Sequence, residues 1–72
     1  MSEEFNQLNP LVELYAKLEV EITESLDDAE KFVMGNKSAG TRVRKSMQTV
    51  KNLAQDIRVE VQKQKNESAV LA

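Results

Sequence analysis

After Pro10 no glycine or further proline interrupts the chain until Gly35, and apolar residues recur at alternating steps of three and four. The series is Leu8, Leu11, Tyr15, Leu18, Ile22, Ser25, Ala29 and Phe32, with Ser25 its one polar member. Such spacing is the seam of a heptad pattern and predicts an amphipathic helix over 10–34. Asn9-Pro10 supplies the start. Asn is a good N-cap, and proline at the first helical position gives up an N–H that has no intrahelical partner. The helix would be ~37 Å long, at ~1.5 Å per residue, and in need of a packing partner.

The same steps return as Val43, Met47, Val50, Ala54, Ile57 and Val61, which predicts a second helix over 38–66 capped by Asn36 or Ser38. Between the two series lie both glycines of the chain, Gly35 and Gly40, so a reversal is expected at 35–38. Facing seam residues have nearly constant number sums, 75 for Phe32/Val43, Ser25/Val50 and Leu18/Ile57 and 76 for Ala29/Met47, Ile22/Ala54 and Tyr15/Val61. An antiparallel pair requires such constancy. The predicted fold is all-α: an antiparallel, coiled-coil-like two-helix hairpin, with a flexible leader over 1–9 and a frayed tail over 67–72.

Apolar residues also lie beside the seam, at Val12, Leu14, Leu26, Val33 and Leu53. One hairpin cannot cover so wide a stripe. A homodimer forming a four-helix bundle would, with Leu14, Leu26, Val33 and Leu53 as the expected interface.

Charge divides the chain in two. The first helix carries seven acidic residues against Lys17 and Lys31, a balance of −5, while residues 35–66 carry eight basic residues against Asp56 and Glu60, a balance of +6. Arg44, Lys51, Arg58 and Lys65 recur every seven residues and so form one basic edge, and Glu19 is the expected charge partner of Arg58. Lys37, Arg42, Arg44 and Lys45 fall within nine residues at the start of the second helix. A helix N-terminus there adds N–H groups suited to phosphate oxygens. The bland alternative is a solvated helix surface that complements the acidic first helix, and the overall charge of −2 works against tight DNA binding.

Composition excludes much else. With no histidine or cysteine, disulfides, the usual zinc sites and imidazole or thiol catalysis are out of reach. Gly35-x-x-x-x-Gly40-Thr41 lacks the lysine of a phosphate loop, and no nucleophile elbow or dinucleotide fingerprint occurs. The acidic pairs Asp27-Asp28 and Glu19/Glu21 read as solvated helix face, so no catalytic residue, metal site or cofactor is assigned. No basic-then-apolar leader and no apolar run of membrane-spanning length is seen, which points to a soluble cytoplasmic protein with no small-molecule substrate.

Glu30-Lys31 followed by Gly35-Asn36-Lys37-Ser38-Ala39-Gly40-Thr41-Arg42-Val43-Arg44-Lys45, with the basic heptads after it, resembles the chlamydial-type linker-histone-like nucleoid proteins of bacteria. The resemblance covers about residues 29–65, the helical part, and does not extend to the Lys- and Ala-rich tail of family members. It implies a DNA-associated, chromosome-condensing role in the nucleoid, with the helical part serving self-association. The expected function is therefore that of a small histone-like protein making weak, sequence-nonspecific phosphate contacts with double-stranded DNA. The contact residues would be Lys37, Arg42, Arg44, Lys45, Lys51 and Arg58. The competing expectation is a self-associating helical scaffold that does not bind DNA.

Overall fold

The structure is a computed structural model that describes residues 9–71, with side chains through Ser68. Two helices make up these residues: α1, Pro10–Val33, and α2, Lys37–Leu71. They pack antiparallel as an all-α hairpin. Leader residues before Asn9 lie outside the described part of the chain.

Local chemistry sets each boundary. Asn9 Oδ1 accepts from the Leu11 N–H at 2.9 Å, which satisfies an orphan donor of the first turn behind Pro10. At the other end of α1 the Gly35 N–H donates to the Phe32 carbonyl at 3.0 Å, and the Asn36 N–H reaches back to the Lys31 carbonyl at 3.0 Å. This pair of bonds is a Schellman motif. It needs a left-handed residue just past the helix, and Gly35 provides it at φ +107°. Asn36 then starts α2 at once, because its Oδ1 accepts from the Ala39 N–H at 3.1 Å. One residue thus closes the first helix and caps the second.

The reversal is therefore centred on Gly35 and occupies Met34, Gly35 and Asn36, earlier and tighter than the expected 35–38. Gly40 lies inside α2, where its missing side chain has a packing role. A Cβ there would stand 2.6 Å from Cδ1 of Phe32, so the glycine is what lets that ring lie against α2. At its far end α2 continues to Leu71, past the expected end at Asn66, because no glycine or proline follows to break it.

The helices meet through a rotated seam. Ser25, Ala39 and Ile57 are buried, and Leu11, Leu14, Leu18, Glu21, Val43, Ser46, Val50, Leu53, Glu60 and Gln64 are half-buried around them. Tyr15, Ile22, Phe32, Met47, Ala54 and Val61, which the heptad reading placed in the seam, are exposed. The shorter turn accounts for the shift. Contacts across the hairpin join Asn9 to Gln64, Asp28 to Arg42 and Phe32 to Gly40, pairs that sum to 73, 70 and 72 in place of 75–76. A slip of a few residues turns an α-helix enough to exchange one apolar line for the next.

Ser25, the polar member of the seam, is buried without loss because its Oγ donates to the Ile22 carbonyl at 3.1 Å. Where the hairpin opens, Gln64 Nε2 donates to Asn9 Oδ1 and to Glu60 Oε2, both at 3.0 Å, tying the start of α1 to α2. The resulting core is thin, and a chain of this length rarely gains more than ~3–5 kcal/mol from such a core alone.

Candidate nucleic-acid interface

Every predicted DNA-contact residue, Lys37, Arg42, Arg44, Lys45, Lys51 and Arg58, is on α2 and exposed. The structure does not gather them into one cluster. Lys37, Arg44, Lys51 and Arg58 are seven residues apart, and Lys65 continues the series, so five cations share one line along the helix. From first to last the line covers 28 residues, or ~42 Å at ~1.5 Å per residue. Among the described residues no carboxylate lies within ion-pair distance of any of the five. Lys45 stands off this line, one residue after Arg44, and is exposed.

Arg42 departs from the group. It immediately precedes Val43 and turns to the opposite flank, where its Nε lies 2.9 Å from Asp28 Oδ1. The Asp28 side chain is only 17% exposed and that of Arg42 49%. The expected Glu19–Arg58 pair is not formed. A second ion pair among the described residues joins Lys31 to Asp27 one turn apart at 3.0 Å on α1.

Membership of Lys37 and Lys65 in the basic line was legible from their numbers, since both continue the seven-residue spacing of Arg44, Lys51 and Arg58. The capture of Arg42 was not, because it depends on how far each helix is rotated about its axis.

The four residues expected at an oligomer interface fall into two groups. Leu14 and Leu53 are half-buried on the sides of the helices that face each other. Leu26 and Val33 are 58% and 83% exposed.

Among the described residues one shallow concavity follows Val59, Gln62, Lys63, Asn66 and Glu67 of α2. A second follows Glu19, Val20, Thr23 and Glu24 of α1. Among the described residues no three Asp or Glu side chains are grouped as metal ligands would be, and no helix is long and apolar enough to cross a membrane.

The described residues thus form a two-helix rod with an acidic α1 and a basic ridge along α2. The family model described as Histone H1-like protein Hc1 matches residues 12–67, almost the whole of the hairpin, and the chain belongs to this family. No curated protein and no solved structure shows significant similarity to it.

Proposed function

We propose that this protein is a small DNA-associated protein of the bacterial nucleoid that binds the phosphate backbone of double-stranded DNA without sequence preference. The observation that carries this reading is the ridge of Lys37, Arg44, Lys51, Arg58 and Lys65, exposed, aligned and free of carboxylate partners in a histone H1-like family member. Lys45 adds a cation beside the ridge, and Arg42 contributes less because Asp28 holds it. Phosphate contacts of this kind position a protein on the duplex and carry no base information. Acidic α1 repels the same duplex, so binding is weak and strongly salt-dependent. The protein acts in the cytoplasm as a homodimer, and its contribution to chromosome organisation comes from several such contacts per assembly.

A second reading, a self-associating helical scaffold that leaves DNA alone, is favoured by one observation. Exposed Tyr15, Ile22, Leu26, Met47 and Val61 suit a protein partner better than a nucleic acid. Fluorescence anisotropy with a labelled duplex of arbitrary sequence at low salt separates the two. Binding that titrates away as salt rises supports the nucleoid role. An unchanged signal at high protein concentration leaves the scaffold.

A further inference from the structure

Each residue along an α-helix turns the side chain by about 100°, and in an antiparallel pair the same step from both buried lines leads to the same face. Asp28 and Arg42 demonstrate the rule for the backward step. They precede Ala29 and Val43, and they meet at 2.9 Å on one face of the hairpin. Tyr15, Ile22 and Leu26 take the forward step from Leu14, Glu21 and Ser25, as Met47 and Val61 do from Ser46 and Glu60. These five exposed residues share the opposite face, a continuous apolar strip along the rod.

We propose that this strip binds a second copy of the chain about a two-fold axis running along the rod. In that arrangement α1 of each copy lies on α2 of the other, and both hairpin tips point the same way. The proposal rests on the self-association in the reading above and adds its geometry. Two observations select it.

The first is charge. Helix α1 carries seven acidic residues against two basic, and α2 eight basic against three acidic. An axis along the rod stacks unlike helices on each other. An axis across the rod would lay α1 on α1 and α2 on α2, with like charges opposed along the whole contact.

The second is the match of the rims. On α1 the strip is edged by Val12, Glu19, Leu26 and Val33, and on α2 by Arg44, Lys51, Arg58 and Lys65, both with a period of seven. Within one hairpin these edges do not satisfy each other: Leu26 and Val33 stay open and Glu19 makes no ion pair with Arg58. A two-fold axis along the rod keeps the level of the hairpin, 70–73 in summed residue numbers, so Glu19 of one copy falls level with the stretch between Lys51 and Arg58 of the other. The alkyl stems of Arg44 and Lys37, level with Leu26 and Val33 at sums of 70, then cover these two residues, and their charged heads remain in water, where the ridge needs them.

The chain has no cysteine, so a single Ser38→Cys substitution, at an exposed position beside the tip, places one nitroxide label per copy. Pulsed dipolar spectroscopy on the full chain reads the label separation, and sedimentation equilibrium on the same sample gives the assembly state. With helix axes about 10 Å apart, the proposed dimer gives a separation below about 25 Å. A dimer with separations of roughly 40–50 Å, near the length of the rod at ~1.5 Å per residue, overturns the arrangement and leaves self-association standing. A monomer at every concentration overturns both, and neither result touches DNA binding by the ridge.

Discussion

Arg42 Nε lies 2.9 Å from Oδ1 of Asp28, and this contact ties one cation of the hairpin tip to a carboxylate. With Arg42 half exposed, the pair itself is worth on the order of 0.2–1 kcal/mol to the fold. Under the proposed function its larger effect is on which arginines are open to a phosphate. Arg44, two residues on, points to the other flank and has no such partner.

Two substitutions test that division. Asp28→Asn releases Arg42 and removes a negative charge, so duplex affinity should rise and the log–log salt slope should steepen by about 0.9, the value of one phosphate contact. Arg42→Gln should weaken binding less than Arg44→Gln. Equal losses from the two arginines, measured by anisotropy at one low salt concentration, would show that Asp28 does not hold Arg42 back.

The two glycines should respond differently. A Cβ at Gly35 has open space around it but a left-handed backbone at φ +107°, so Gly35→Ala should cost about 1–2 kcal/mol. Gly40 is helical, and alanine there gains about 1 kcal/mol of helix propensity while displacing the Phe32 ring. Gly40→Ala should therefore stabilise more in a Phe32→Ala background than in the unaltered chain. Additive effects in urea unfolding would remove the packing role given to Gly40.

Leu26 and Leu53 offer a second contrast. Leu26 is exposed in the hairpin, so Leu26→Glu should shift the protein toward monomer in sedimentation equilibrium while leaving the hairpin register intact. Leu53 is half-buried between the helices, and Leu53→Glu should destabilise the hairpin itself by about 1.5–3 kcal/mol. If the two variants behave alike by sedimentation and circular dichroism, the division of the apolar residues into inner and outer lines fails.

Much of the hairpin could be read from residue order alone. Asn9-Pro10 and Gly35-Asn36 carry their capping chemistry in their identities, so the helix starts and the site of reversal were legible within a few residues. The rotation of the seam was not. Leu14 and Tyr15, or Leu53 and Ala54, are neighbours on one broad apolar arc, and a heptad count fits either line. The choice is made by tertiary contacts, chiefly the three-residue turn and the bed that Gly40 gives to Phe32. For the same reason the exposure of the basic ridge was legible from its seven-residue spacing, while the Asp28–Arg42 pair, which depends on helix rotation, was not.

The salt dependence of duplex binding tests the ridge most directly. If Lys37, Arg44, Lys51, Arg58 and Lys65 each meet a phosphate, the log–log slope of affinity against salt should be about −4.5, at about −0.9 per contact. Replacing Arg44, Lys51 and Arg58 together with glutamine should bring it to about −2 and weaken all duplex sequences alike, with helicity retained because none of the three is buried. A slope and affinity unchanged by that triple substitution, in a protein that still folds, would contradict the assignment of this edge of α2 to DNA.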